Sequence, residues 1–233
     1  ASGGSNLRQL KLADLTDGLA SVQVNEYGNR TGGSAEETAY SEKRSKLTVL
    51  GNESVTALLQ FNPSLRYLDL SFNPRISANA ISDVEIQIPN LLTVILDGCD
   101  IGAFGLACLA ERCPLLETLS LSHHGSLDDN GLFALAAQCK ALRYLDVSDC
   151  HKLTDRGVGA IAFNCAHLVY LNCSSSVTQT DSIGGRFQQY TDALLETILT
   201  YSRSVQTLLL INQNGISLTS EALTAESVTL FPI

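Results

Sequence analysis

The sequence predicts an α/β solenoid: a curved horseshoe of about seven repeats, with parallel strands lining the concave face and helices on the convex face. Three observations predict it. A Leu-x-x-Leu-x-Leu pattern begins at Leu65, Leu91, Leu116, Leu142 and Leu168, in steps of 26, 25, 26 and 26 residues, with weaker copies at Leu7 and Val205. Each copy is followed by a turn and then by apolar residues at helical spacing. The chain is 45% hydrophobic and only 17% charged, enough apolar material for one continuous core.

One repeat shows the grammar. In Leu142–Val147 (LRYLDV), Leu142, Leu145 and Val147 alternate with Arg143, Tyr144 and Asp146, the mark of a strand with one face buried. Cys150, at the ninth position, turns inward beside backbone groups of the turn, the place that Asn73 takes in an earlier repeat. Leu153 points in, and Thr154 or Asp155 caps the next helix. Val158, Ile161, Ala162 and Cys165 then share one helical face. Leu127, Asp129, Gly131 and Leu132 repeat Leu153, Asp155, Gly157 and Val158 one period earlier. No single repeat buries its own apolar face, so stacking on neighbours must do it. A short strand of this pattern at this period is the signature of a leucine-rich-repeat solenoid.

Residues 1–233 therefore form a single array. Two steps are too long. Leu7 to Leu65 carries an excess at about 18–49, and Leu168 to Val205 one at about 177–190. Both excesses are rich in Gly, Ser and Thr and are expected to be loops on one rim. Neither end shows a convincing polar cap, and the chain contains no methionine. These features fit a piece of a longer protein, or an array whose ends neighbours cover.

Charge and cysteine usage narrow the function. A net charge of -9 argues against nucleic acid and anionic membranes, which demand basic patches. No apolar run reaches the ~18–20 residues of a membrane span. Seven cysteines fall at small packing positions, which reads as reduced thiols and a cytoplasmic chain, with nucleus, cilium or organelle interior as further settings. Cys99, His124 and Cys150 share the ninth position in successive repeats. Strand spacing of ~4.8 Å sets the ends of that ladder too far apart for one ion, so no metal and no cofactor is expected. No nucleophile elbow or P-loop is present, and the chain reads as a non-enzyme without a small-molecule substrate.

The outward strand positions form columns. One runs Gln9, Tyr67, Thr93, Thr118, Tyr144, Tyr170, Thr207, and the next Lys11, Asp69, Ile95, Ser120, Asp146, Asn172, Leu209. Phe72, His123 and Asp149 lie at strand ends. Tyrosines supply large amphipathic contact area. The expected partner surface is thus Tyr67, Asp69, Phe72, Ile95, His123, Tyr144, Asp146, Asp149, Tyr170 and Asn172, with other proteins as partners. The unit RYLD occurs twice, which allows Arg66 to pair with Asp69 and Arg143 with Asp146. On this reading Tyr144→Ala and Asp146→Ala weaken partner capture and leave thermal stability nearly unchanged.

The segments RCPLLETLSLSHH, followed by SLDDNGL, and QCKALRYLDVSDC, followed by HKLTDRGV, resemble the cysteine-containing class of leucine-rich repeats. That resemblance implies a protein-interaction scaffold like the substrate-recognition repeats of F-box ubiquitin ligase receptors. The alternative it implies is a structural or adaptor subunit of a large axonemal, ribosomal or organellar assembly.

Overall fold

The computed structural model describes residues 8–11, 50–175 and 190–210. Seven three-residue strands run β1 (Gln9–Lys11), β2 (Tyr67–Asp69), β3 (Thr93–Ile95), β4 (Thr118–Ser120), β5 (Tyr144–Asp146), β6 (Tyr170–Asn172) and β7 (Thr207–Leu209). They form one sheet in sequence order, every pair parallel. The register places Gln9, Tyr67, Thr93, Thr118, Tyr144, Tyr170 and Thr207 side by side, as the repeat period predicts. Helices α1 (Asn52–Phe61), α2 (Asn79–Ser82), α3 (Gly102–Arg112), α4 (Asp129–Gln138), α5 (Asp155–Asn164) and α6 (Asp192–Tyr201) alternate with the strands. Packed helices need about 8–10 Å each and paired strands under 5 Å, so the stack bends with the sheet inside.

The middle residue of every strand is buried, and so are the flanking inward leucines Leu65, Leu70, Leu91, Leu96, Leu116, Leu121, Leu142 and Leu168. Together with Val158, Ile161, Ala162 and their equivalents they make one core along the array. Helix starts are tied from repeat to repeat. Thr154 caps α5 by accepting from the Arg156 N–H. The Asp129 carboxylate, one turn of the solenoid earlier, accepts from the Thr154 N–H at 2.8 Å and its hydroxyl at 2.6 Å. Asp155 makes the same two bonds to Thr191. The sequence left Thr154 and Asp155 as alternative caps; Thr154 takes that place, and Asp155 ties the next repeat.

The segment 18–49 and most of 177–190 lie outside the described residues. Tyr190 does not, and it is fully buried. It stands 37 residues after Leu153, at the inward loop position, and bonds to Cys173. A small residue at 173, where other repeats have leucine or valine, leaves volume for the larger Tyr190. The repeat frame thus resumes at Tyr190 itself. Helix α2 is short because the following DVEIQIPN carries β-branched Val84, Ile86 and Ile88 and then Pro89. The Arg112 guanidinium reaches back from α3 to the carbonyls of Val84 and Ser82, satisfying groups that a longer helix would have bonded internally.

All seven cysteines are free; six are buried, and Cys108 is only half-buried, unlike the fully packed position expected of it. Burial pushes the thiols of Cys113, Cys139 and Cys150 up to about 12 and those of Cys99 and Cys165 to about 11. Such thiols stay protonated near neutral pH and are inert as nucleophiles. The ninth-position side chains bond to backbone: Cys99 Sγ to Leu70 O at 3.1 Å, Cys150 Sγ to Leu121 O at 3.0 Å, and Asn73 Nδ2 to Leu70 O at 2.8 Å. His124 Nδ1 faces Leu121 O at 3.1 Å and Ser122 O at 3.3 Å. Carbonyls only accept, so Nδ1 carries the proton. Nε2 is buried without a hydrogen-bond partner among the described residues.

A pH dependence follows. Burial lowers the His124 pKa below 6.5, because a charged ring there would be desolvated. As pH falls through 6.5 the unfolded chain takes up a proton that the folded chain refuses. The stability present above that pH is therefore lost progressively toward the folded pKa. His124→Asn installs the residue found at position 73. We expect the urea midpoint of the wild type to drop further between pH 7.5 and 5.5 than that of the variant; equal drops would remove His124 as the cause.

A candidate interaction surface on the sheet face

From β2 to β7 the outward strand residues are half-buried, apart from the buried Asp69, because neighbouring strands crowd them, whereas Gln9 and Lys11 on the edge strand β1 are exposed. At the β5–β6 step the register sets Tyr144 beside Tyr170. Their rings stack, with centroids 4.1 Å apart and planes within 4°. Burial, then a hydrogen bond to Tyr170, raises the Tyr144 pKa far above its usual value, with Asp146 and Asp97 adding to the rise. Tyr67 is raised as well, by burial and then by Asp69. Both phenols are neutral donors across the physiological range.

The three tyrosines are not one cluster. Tyr67 lies on β2, three strands from Tyr144, about 14 Å away at normal strand spacing. Tyr144, Tyr170, Asp146 and Asn172 form one group. Tyr67, Asp69 and Phe72 form another, with Ile95, half-buried and apolar, beside Asp69 on β3.

The carboxylates at the strand ends hold the backbone. Asp146 Oδ1 accepts from the Ser148 N–H at 2.9 Å and its hydroxyl at 2.6 Å, while Oδ2 accepts from Asn172 Nδ2 at 2.8 Å. Asn172 Oδ1 in turn accepts from the Ser174 N–H at 3.0 Å. Asp69 Oδ1 accepts from the Ser71 N–H and hydroxyl, and Oδ2 faces Lys11 Nζ at 3.4 Å. Asp69 is 3% exposed, so its carboxylate is committed to these contacts. The pairs Arg66–Asp69 and Arg143–Asp146 do not form: three residues along a strand span about 10 Å, and both arginines are exposed. Asp146→Ala would remove three hydrogen bonds, so some loss of stability is expected from it in place of the near-neutral outcome read from the sequence.

Position 97 was missed by pattern reading. In four other repeats its place is taken by Ser71, Ser122, Ser148 and Ser174. Asp97 Oδ1 accepts from the Ser120 hydroxyl at 2.6 Å and the Ser122 N–H at 2.9 Å, both on the next repeat. Ser120 stands where Asp69, Asp146 and Asn172 accept from the N–H two residues on in their own repeats, and Asp97 of the preceding repeat supplies that acceptor to Ser122. The signal was present in the alignment of LDGC with LSHH and VSDC.

A second row follows the strand ends. Phe72, His123 and Asp149 have φ of 56°, 60° and 57°, and Gly98, between Phe72 and His123 in the array, has φ of 65°. The left-handed region is costly for bulky residues, so the turn imposes it at this position. A Cβ on Gly98 would sit 3.0 Å from the Phe72 ring. With none there, Phe72 leans over the glycine toward His123, ring centroids 6.4 Å apart. His123 Nδ1 lies 3.3 Å from Asp149 Oδ2. Phe72 and His123 are exposed, whereas Asp149 is 8% exposed and faces His123 and Ser175. Of the ten residues the sequence singled out, Asp69 and Asp149 thus support the surface from beneath.

Among the described residues no cluster of His, Cys, Asp and Glu is arranged to hold a metal ion, and no helix is long and apolar enough to cross a membrane. A family model described as Leucine Rich repeat matches residues 61–83, 112–136 and 138–162. No curated protein sequence matches the chain. Among solved structures, the chain resembles the crystal structure of the Rad7 and Elc1 complex in yeast, with TM-score 0.62 and 18% identity over 78% of this chain and 44% of that one. The chain thus spans less than half of that protein, and the likeness is one of fold. A looser likeness, TM-score 0.39 at 14% identity, is to the TLR13–ssRNA13 complex, over 69% of this chain and 27% of that one.

Proposed function

We propose that this chain, a leucine-rich-repeat solenoid, is a protein-interaction scaffold that seats its partner on the sheet face around Tyr144 and Tyr170. The observation that carries the reading is the parallel ring stack at 4.1 Å. Side chains already fixed by packing lose little rotamer freedom on binding, so contact area there converts to affinity more fully than on mobile residues. The finer form of the reading is the substrate-recognition arm of an F-box ubiquitin ligase receptor, as the repeat class implies. Rad7, which shares the fold, is solved in a complex with a second protein, Elc1. The raised thiols and the commitment of Asp69 and Asp146 to backbone bonds favour a non-catalytic role. A cytoplasmic setting accompanies this reading.

A second reading, a structural subunit of a large assembly, draws on the helix side. Phe61, Phe104, Phe163 and Tyr201 are exposed there, and Phe163 meets Tyr201 edge-on with centroids 4.9 Å apart. Large exposed aromatics are common at protein contacts.

Capture from native extract tests the proposal. The double variant Tyr144→Ala/Tyr170→Ala should lose most of the partner, since truncating a central aromatic typically costs about 2 kcal/mol or more, while Phe163→Ser retains it. The reverse result would move the binding face to the helices. Ubiquitin-ligase subunits in the captured set would support the F-box form, and a fixed set of structural proteins the other.

A further inference from the structure

Resting on the sheet-face reading, we infer that the partner is a protein segment bearing an arginine or lysine, whose cation lies against the Tyr144–Tyr170 stack beside Asp97 and Asp146. The face is electrically lopsided. Arg66 and Arg143 are exposed at the strand starts, with a half-buried Glu117 between them in the array, and Asp69, Asp97, Asp146 and Asp149 lie at the strand ends. Asp146 follows Tyr144 by two residues on β5, and Asp97 is held 2.6 Å from the hydroxyl of Ser120, which the register sets beside Asp146. Neither has a cationic partner among the described residues. Asp146 is engaged through both oxygens by neutral donors. Among the described residues Asp97 uses only Oδ1, for Ser120 and Ser122, which leaves Oδ2 available to a further donor. Aromatic faces attract cations through the ring quadrupole, and an arginine plane also matches a flat tyrosine face. Complementary charge selects such a segment and speeds its encounter with a chain of net charge -9. An acidic segment meets repulsion at the same place.

Fluorescence anisotropy on the full chain tests this with three labelled twelve-residue peptides of Gly and Ser, carrying three arginines, three glutamates or no charge. Asp97→Asn keeps Oδ1 as an acceptor and so preserves the fold, while Tyr170→Leu keeps apolar bulk without the ring. Glu85→Gln removes an exposed charge away from this face. The arginine peptide should bind best, and Asp97→Asn and Tyr170→Leu should each weaken it about tenfold, with Glu85→Gln unchanged. Equal weakening by Asp97→Asn and Glu85→Gln would reduce the effect to overall charge and overturn the inference. So would tighter binding of the glutamate peptide or of a single-stranded oligouridylate. Uncharged-peptide binding that is sensitive to Tyr170→Leu but not to Asp97→Asn would overturn the cation while leaving the sheet face as the binding site. Arginine-peptide binding insensitive to Tyr170→Leu would also overturn the seat proposed here.

Discussion

Leu145→Ala is expected to lower the unfolding free energy by about 3 kcal/mol, within the usual range for a buried leucine truncated to alanine. Leu145 is the central residue of β5, has no exposed surface, and lies between Leu119 and Leu171 in the register. The cavity cannot close easily, because strands on both sides hold the sheet spacing. Stability in a solenoid is nearly a sum of repeat terms and nearest-neighbour interfaces. A loss at β5 therefore weakens two interfaces at once. The check is urea unfolding followed by circular dichroism, with Arg143→Ala, an exposed residue two positions away, as the control. A loss under about 1 kcal/mol would mean that the core relaxes at this site.

The second large effect is a reversal of sign between two glycines in helices. Glycine to alanine ordinarily stabilises a helix interior by about 1 kcal/mol. At Gly159 the new methyl group would come no closer than 3.4 Å, to Thr197 Cγ2, so propensity decides and Gly159→Ala should stabilise by about 0.5–1 kcal/mol. At Gly105 the methyl would sit 2.8 Å from the Ala78 backbone and 2.6 Å from Ile101 Cγ2. Backbone of the previous repeat cannot yield as a side-chain tip can, and overpacking costs about 1–3 kcal/mol. Gly105→Ala should therefore destabilise by about 1–2 kcal/mol net. Thermal unfolding of the two variants side by side decides it; a shift in the same direction for both would show that the helices can slide apart. The glycines at 105, 131 and 157 recur with the period, and at each the crowding atoms include one from the preceding repeat: Ala78, Ala103 and Asp129. At these positions a side chain would collide with the preceding repeat.

The candidate surface was partly legible. The period placed Tyr144 beside Tyr170 and Asp146 beside Asn172, because in a parallel array one step along the sequence is one step across the sheet. It could not tell a carboxylate facing outward from one folded onto its own strand end. Asp69 and Asp146 have the same sequence neighbours, RYLD, yet Asp69 is buried and Asp146 half-buried, since Lys11 flanks the first and Asn172 the second. Asp97 escaped notice because it stands in a column of serines, and its role appears only when the neighbouring Ser120 and Ser122 are placed against it.

Sequence alone determined the strands, their order and register, and the inward leucines. Those depend on a local pattern and a period, and each repeat has only its neighbours to pack on. Tertiary structure decided what one repeat does to the next: Thr154 held by Asp129, the Val84 and Ser82 carbonyls capped by Arg112, Tyr190 filling the space beside Cys173, and the Phe72 ring lying over Gly98. Each of these joins residues about 25 or more positions apart, or depends on the volume left by a neighbour. Distance across the stack and available space are properties of the folded chain, and no linear pattern encodes them.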